Sequence, residues 1–319
     1  MYDIKYKTKK LGATISIFVP YDCENNCPFC MNKKEYSNMH ASSAGSYAAV
    51  YKIFKSLNKL HEVTPSCDIV LTGGEPFASL EGLGFILTFI ETISTKTKTK
   101  HRVFINTSLP LSISEDETQI LDFVRKYSNI ITCLNISRNI FPYVKERSDS
   151  FIRQLKLITS VRIHSVLYTE DTINENLIYD FIKRFENFDI QFRQDYMNTT
   201  PFHLLDANVE TNKLVSYINL AIEKLAIHDN VSLESKEYIK TRKSTDIKYL
   251  LSNGNYVYFH QTLPYSQIKV PSVENSAIYN VLYDIVIKQN GEIHSDWDYT
   301  EFNLKSYQLC ISNENFDND

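Results

Sequence analysis

Short apolar runs alternate with amphipathic segments along the first two thirds of the chain. The apolar runs are rich in Ile, Val and Phe, as expected for strands that are buried on both faces. Between them lie segments with the periodicity of helices that pack on a sheet. Ser114 followed by Glu117 predicts a capping box at one helix start. The predicted strands are residues 13–19, 68–72, 102–107, 131–137, 161–167 and 189–192, and the predicted helices are residues 47–61, 82–95, 115–127, 146–159 and 173–185.

The order of these elements predicts the fold class. Strands that are each followed by a helix favour an α/β fold with a parallel sheet, wound in one sense and closed or partly closed. Residues 212–226 form a last helix-like segment, after which the pattern changes. The pairs Asn253-Gly254 and Asn290-Gly291 are hairpin signals between apolar runs. We therefore predict two parts, residues 1–230 and a small C-terminal α+β extension at residues 231–319.

Composition and charge exclude several classes of protein. The 319 residues are 43% hydrophobic and 23% charged, which is typical of a folded globular chain. The formal net charge of −4 argues against a protein that grips long nucleic acid. The apolar runs are too short to cross a membrane, and no apolar segment follows the basic start as in a secretory signal. These features predict a cytoplasmic protein.

Three of the six cysteines form a compact motif directly after the first predicted strand. Cys23, Cys27 and Cys30 have the spacing C-x3-C-x2-C. Three thiolates on a short loop can bind an iron–sulfur cubane and leave one iron without a protein ligand. A structural zinc site would need a fourth ligand, for which His40 is a candidate at an unconventional distance. Three unrelated thiols are the remaining alternative.

A second motif follows the second predicted strand, and together the two motifs resemble a known family. Thr72 precedes Gly73-Gly74-Glu75-Pro76. The cysteine triad, with an aromatic residue (Phe29) before its third cysteine, followed by Gly-Gly-Glu-Pro, resembles the signature of the radical S-adenosylmethionine (radical SAM) superfamily. Glycines let a backbone approach a ligand closely, and a carboxylate suits an ammonium group.

The resemblance covers roughly residues 13–195 and implies both fold and chemistry. It implies a partial (β/α)6, TIM-like barrel with a 4Fe–4S cluster on Cys23, Cys27 and Cys30. It further implies that S-adenosylmethionine chelates the open iron and is cleaved reductively to a 5′-deoxyadenosyl radical, which abstracts hydrogen from a substrate. The segment Gly73, Gly74 and Glu75 would hold the methionine amino group. Such an enzyme is oxygen-sensitive and needs a one-electron donor such as flavodoxin or ferredoxin.

Further cofactor-binding candidates are the polar residues at the carboxyl ends of the predicted strands, where parallel barrels gather functional groups. By its place in strand order, Ser137 resembles a serine that meets the ribose or carboxylate of the cofactor. His164 stands where the family often has an asparagine, a departure that puts its role in doubt. We also expect Phe29 to pack on the adenine side. The full set of candidates for cofactor contact is Phe29, Gly73, Gly74, Glu75, Asn106, Ser137, Arg138, His164 and Arg193.

Other conspicuous residues have simpler interpretations. Cys67 and Cys133 are expected to be buried small hydrophobes, and the basic residues between 96 and 102 a solvated connection. Residues 256–260 read as a hairpin strand whose Tyr and His side chains could alternatively line a substrate pocket. Residues 296–298, which include the only tryptophan, are a second candidate for a lid. Cys310 alone cannot support an auxiliary cluster.

The sequence therefore favours a radical SAM enzyme with a single cluster that acts on a small molecule, preferably a nucleotide or nucleoside. This preference rests on the lack of auxiliary-cluster cysteines, of a leader-binding domain before residue 13 and of a basic surface, and on fold-level analogy. The first alternative is modification of a peptide or of a tRNA base. The second is a metal-binding sensor or partner protein without catalysis. The catalytic residues and the substrate are not assigned.

Overall fold

The structure is a computed structural model, which describes part of the chain. The described residues are 3–8, 14–20, 23, 25, 27–30, 47–61, 67–98, 101–168, 172–194, 212–240, 244–262, 267–271, 278–282, 284–294 and 307–309. His40, residues 296–298 and Cys310 lie outside them. None of the described helices combines the length and the hydropathy needed to cross a bilayer.

Strands and helices alternate from β2 to α6, after which the described elements are strands. The helices are α1 (Tyr47–His61), α2 (Leu80–Thr97), α3 (Glu117–Lys126), α4 (Asp149–Lys156), α5 (Glu175–Arg184) and α6 (Lys213–His228). The strands are β1 (Asp3–Thr8), β2 (Thr14–Val19), β3 (Asp68–Gly73), β4 (Arg102–Thr107), β5 (Ile131–Ser137), β6 (Val161–Leu167), β7 (Asp189–Gln194), β8 (Leu233–Lys240), β9 (Ser244–Leu251), β10 (Tyr256–Thr262), β11 (Gln267–Pro271), β12 (Ile278–Leu282), β13 (Asp284–Ile287), β14 (Ile293–His294) and β15 (Tyr307–Leu309).

The central sheet is mostly parallel, as predicted. Its strand order is β1-β8-β9-β10-β7-β6-β5-β4-β3-β2-β13-β14, and β2 to β7 lie side by side in chain order with parallel pairing. The C-terminal strands extend this sheet at both edges, because β10 pairs in parallel with β7 and β13 pairs in parallel with β2. Strands β11, β12 and β15 form a second sheet. The predicted division at residue 230 stays a prediction.

The two faces of the central sheet differ in polarity. One face carries aliphatic residues such as Ile17, Ile105 and Ile163, which are fully buried in one hydrophobic core with the helices. Successive residues of a strand point to opposite faces, so the residues next to these isoleucines along each strand form the other, inner face. That inner face carries polar groups such as Asn135 and His164, which are also buried. Polar burial on the face away from the helices indicates that the sheet curves around an interior.

The sequence predicted the positions of the strands and helices well, but it predicted one helix cap wrongly. Strands β4, β5 and β6 and helix α1 have the predicted boundaries, and both predicted hairpins are present as β9–β10 and β13–β14. The predicted capping box at Ser114 and Glu117 is wrong, since α3 begins two residues later. Its box joins Asp116 and Gln119, which exchange side-chain and backbone hydrogen bonds. The Asp116 side chain accepts from a backbone N–H just as a Ser114 cap would, so the local sequence does not distinguish the two possible starts of α3.

Candidate functional site at the barrel mouth

The three motif cysteines lie on the loop that follows β2, and all three are partly exposed. A turn brings two of them together, since the Cys30 N–H donates to the Cys27 carbonyl at 3.2 Å. The Asn25 side chain donates to Ser108 Oγ at 2.6 Å and ties this loop to the end of β4. The loop therefore lies over the carboxyl ends of the strands, where a barrel places its functional site.

The motif thiols are electrostatically coupled to one another and to Glu75. Burial, together with the nearby Glu75, Cys30 and Cys27, raises the pKa of Cys23 to about 12, although a hydrogen bond from the Asn25 backbone opposes this rise. Without a metal this thiol holds its proton, so metal binding must release it. Within the described ranges, no three His, Cys, Asp or Glu side chains are grouped to hold one ion. A cubane does not require such a group, because each thiolate binds a different iron.

Phe29 belongs to an aromatic cluster that joins the cysteine loop to the loops that follow β5 and β6. Its ring lies edge-on to Tyr143, with centroids 5.4 Å apart, and tilted against Tyr168 at 5.9 Å. Tyr143 follows β5 and Tyr168 follows β6, and their rings are in contact with each other. Neither tyrosine was predictable as a site residue, since both lie in loops without periodicity. The predicted packing of Phe29 on an adenine stays a prediction.

The Gly-Gly-Glu-Pro segment turns sharply at the end of β3. Gly73 has a φ of +99°, and a Cβ at this position would lie 2.8 Å from the Cα of Phe18. Both the left-handed backbone and the close approach require glycine. Gly74, Glu75 and Pro76 are buried, and Pro76 begins a short 3-10 turn that Glu75 caps.

The Glu75 carboxylate accepts hydrogen bonds on both oxygens. Oε1 accepts from Thr107 Oγ1 and, at 3.2 Å, from the Phe77 N–H. Oε2 accepts from both the N–H and the Oγ of Ser108, each at 3.0 Å. Burial raises the pKa of Glu75, and these donors partly offset that rise. Thr107 and Ser108 belong with Asn106 to the polar group at the end of this predicted strand, although only Asn106 is a predicted cofactor contact.

Three further candidates at the strand ends lie close to this network. Asn106 Oδ1 accepts from the Asn135 side chain at 2.8 Å across the inner face. The fully buried Arg138 donates through Nη1 to the carbonyl of Ser108 at 2.7 Å and to that of Ser137 at 2.8 Å. Arg138 thus holds together the chain after β4 and the chain after β5. Contacts of Asn106, Ser137 and Arg138 with a cofactor stay predictions.

His164 and Arg193 lie on the same inner face, on β6 and β7. Burial lowers the pKa of His164 well below its usual range, and the nearby charges of Arg193 and Arg162 lower it further. His164 is therefore neutral at physiological pH. Arg162 shares this face with His164, from which it is two residues away along β6. The predicted contacts of His164 and Arg193 with the cofactor stay predictions.

Most of the described residues that were given simpler interpretations agree with them, but His101, in the basic tract expected to be solvated, is buried. Cys67 and Cys133 are 5% and 6% exposed, which confirms them as buried thiols. Burial raises the pKa of both, that of Cys67 to about 12, so neither is a ready nucleophile or ligand. In the basic tract, Lys96 and Lys98 are exposed, and Arg102 pairs with Asp68 at 2.6 Å.

Known proteins are similar to this chain in one domain and in the fold. Residues 11–137 match the model of a 4Fe–4S single cluster domain. The fold is similar to that of Streptococcus suis SuiB bound to its precursor peptide SuiA, with a TM-score of 0.51, 14% identity and coverage of 93% of this chain and 63% of SuiB. It is also similar to SuiB bound to S-adenosylmethionine, with a TM-score of 0.50, 15% identity and coverage of 90% and 60%.

The chain thus spans less than two thirds of SuiB. No protein of curated function matches its sequence significantly. The α/β fold is similar to that of SuiB, and the cysteine triad lies within the residues that match a 4Fe–4S single cluster domain. Both findings support the resemblance to the radical SAM superfamily that the cysteine triad and the Gly-Gly-Glu-Pro turn carry.

Proposed function

We propose that this chain is an enzyme that cleaves S-adenosylmethionine reductively and abstracts hydrogen from a small molecule, with a nucleotide or nucleoside favoured. The observation that carries the proposal is the hydrogen-bonded chain from Asn25 to Ser108 to Glu75, which joins the cysteine loop to the Gly-Gly-Glu-Pro turn. The superfamily needs these two motifs side by side. A sensor that only binds metal has no need for the second one.

Cys23, Cys27 and Cys30 would hold the 4Fe–4S cluster, and the turn at Gly73 and Gly74 would receive the methionine end of the cofactor. When bound, these groups supply the electron and the 5′-deoxyadenosyl radical that removes hydrogen. The protein positions them and keeps water out.

Glu75 has a positioning role in this proposal. Its oxygens already accept from Thr107, Phe77 and Ser108, so the carboxylate fixes the turn and the end of β4 relative to each other. A bound ammonium would have to join this set or displace a hydroxyl from it. The rotatable hydroxyls of Thr107 and Ser108 can yield in this way, whereas the two backbone donors cannot.

The proposed setting is the cytoplasm, with a one-electron donor such as flavodoxin or ferredoxin as partner. Thiols stay reduced there, and reductive cleavage needs a supply of single electrons.

The experiment is anaerobic. Protein reconstituted with iron and sulfide receives dithionite and S-adenosylmethionine, and 5′-deoxyadenosine is measured by mass spectrometry. We expect product from the wild type and none from Cys27→Ala. Cys67→Ala is the matched control, because it removes a buried thiol at the opposite end of β3. We expect it to retain iron and product formation.

A substrate is then sought by its effect on turnover. A nucleotide panel that accelerates product formation, with deuterium transfer into 5′-deoxyadenosine, would support the small-molecule proposal. Zinc bound in place of iron, or four irons per chain without cleavage even in cell extract, would contradict an enzyme of this class.

A peptide is the second candidate substrate, because SuiB shares this fold and has been solved with its precursor peptide. A small precursor encoded beside the gene should then accelerate turnover where nucleotides do not. A tRNA substrate would instead show binding that weakens steeply with salt.

A further inference from the structure

A group of basic side chains lies on the inner face, on neighbouring strands away from the Gly-Gly-Glu-Pro turn. We call Arg162, His164 and Arg193 the inner cationic cluster. In the strand register His164 faces Gln191 and Val166 faces Arg193, so the three occupy consecutive levels of β6 and β7. Strand β10 continues the surface, since Tyr258 and His260 face Gln191 and Arg193. The cluster therefore lines one wall of the interior.

This wall contains polar atoms that the fold buries without pairing. The Nε atoms of Arg162 and Arg193 and the Nε2 atom of His164 are inaccessible to solvent and lack a hydrogen-bond partner among the described residues. The His164 side chain is only 7% exposed. An unpaired buried donor costs about 1–3 kcal/mol, and a charged donor costs more. Several such groups at one place call for a partner, and a bound ligand, an ion or ordered water can supply it.

The carboxylates near the cluster are already engaged. Asp246 lies 2.6 Å from the Nδ1 atom of His260, and Asp189 accepts from the Tyr256 N–H at 2.9 Å. Burial lowers the pKa of Arg193, with Asp246 opposing this shift and Arg162 adding to it. The buried guanidinium of Arg193 thus lies near that of Arg162, and no carboxylate of the described residues is hydrogen-bonded to either Nε.

A tyrosine completes the wall. Arg162 lies over the Tyr258 ring, 5.2 Å from its centroid. Burial raises the pKa of Tyr258 to about 12, opposed by the charge of Arg162, so its hydroxyl keeps its proton and can donate. Tyr258, neutral His164 and two guanidinium groups together offer donors to an anion and, apart from the tyrosine oxygen and one imidazole nitrogen, no acceptor.

We infer that the inner cationic cluster binds an oxyanion group of the substrate, a phosphate or a carboxylate. Guanidinium groups match the geometry of both anions. This inference rests on the proposed function, since it places the substrate of that enzyme in the barrel interior. It names one anchoring point of the substrate and the three side chains that hold it.

The carboxylate of S-adenosylmethionine is a rival occupant, and the topology disfavours it. The Gly-Gly-Glu-Pro turn follows β3, whereas the cluster lies on β6 and β7, with β4 and β5 between them. Adjacent strands are about 4.8 Å apart, which places β6 about 14 Å from β3 along the sheet. An anion that binds to the cluster should therefore bind together with S-adenosylmethionine.

The test is isothermal titration of the anaerobically reconstituted protein, without reductant, at constant ionic strength. The probes are pyrophosphate and succinate, with sodium chloride as the blank, each with and without S-adenosylmethionine. We expect one probe to bind and its Kd to rise about tenfold or more in Arg162→Gln and in Arg193→Gln, which corresponds to about 1.4 kcal/mol or more. The matched control, Arg153→Gln, removes the same charge from the exposed face of α4 and should leave the Kd unchanged.

Each outcome decides a separate point. Binding of pyrophosphate indicates a phosphate-bearing substrate, and binding of succinate indicates a carboxylate-bearing one. The inference is overturned by binding no tighter than chloride, by a Kd that is unchanged in both Arg162→Gln and Arg193→Gln, or by competition with S-adenosylmethionine. Arg193→Lys, which keeps the charge, replaces Arg193→Gln if the latter does not fold. Because no turnover is involved, failure to cleave S-adenosylmethionine would count against the proposed function alone.

Discussion

Two buried polar regions differ in how many of their hydrogen bonds are made. One is the Glu75 carboxylate with its donors on Thr107, Phe77 and Ser108, which we call the Glu75 network, and the other is the inner cationic cluster. In the Glu75 network, both carboxylate oxygens accept hydrogen bonds, and the backbone N–H groups of Phe77 and Ser108 are among the donors. In the inner cationic cluster, Arg162, His164 and Arg193 each keep a buried nitrogen that no described residue satisfies. A network in which every hydrogen bond is made stabilises the protein and fixes the positions of its side chains. Buried donors without partners are instead available to bind a ligand. The two regions should therefore respond differently to mutation.

Glu75→Gln should produce the largest loss of stability. One carboxylate oxygen becomes an amide NH₂ that faces a backbone N–H, of either Phe77 or Ser108, and a backbone donor cannot rotate away. We expect the free energy of unfolding to fall by about 3 kcal/mol, measured by urea unfolding of the cluster-free chain. Glu81→Gln, on the exposed first turn of α2, should change it by less than about 0.5 kcal/mol. Equal effects would show that the network contributes nothing to the fold.

His164→Gln should have a smaller effect that depends on pH. Burial, with the charges of Arg193 and Arg162, lowers the pKa of His164, whereas the unfolded chain takes up this proton near pH 6.5. The unfolded state then binds more protons below that pH, so stability falls as the solution is acidified. Between about pH 7 and about pH 5.5, His164→Gln should remove about 1 kcal/mol of this fall, and the exposed control His228→Gln should not. Parallel pH profiles for His164→Gln and the wild type would refute a buried neutral imidazole.

Arg193→Gln should have the smallest effect on stability. Its Nε has no partner to lose, and removal of a desolvated charge offsets the loss of packing. We expect the free energy of unfolding to stay within about 0.5 kcal/mol of that of the control Arg153→Gln. A loss of about 2 kcal/mol would instead make Arg193 a structural residue, and the contrast between the two regions would disappear.

The sequence predicted those parts of the fold that depend on short segments. The strands from β2 to β7 were recognisable because each is a continuous apolar run, and the cysteine triad and the Gly-Gly-Glu-Pro turn were recognisable because each motif is contiguous. The start of α3 was misplaced, because Ser114 and Asp116 are equally good caps, and the structure has the cap at Asp116. A helix cap depends on the residues of a single turn, so two similar residues within that turn are equally plausible caps.

The candidate site was predicted less completely than the fold. Ser108 bonds Glu75, Asn25 and Arg138, residues far apart in the chain, and a serine after a strand has no distinctive pattern. Tyr258 reaches the inner cationic cluster through β10, which pairs with β7 although 61 residues separate the end of β7 from the start of β10. Single-sequence patterns carry no information about such pairing.

The sequence by itself determined the order of strands and helices and the ligands available for a cluster, because periodicity and spacing are local properties. Only the tertiary structure decided which side chains are buried without partners and which carboxylates are already engaged. Whether a buried donor is satisfied depends on groups from several strands that meet at one place, and those meetings are set by the curvature and register of the whole sheet.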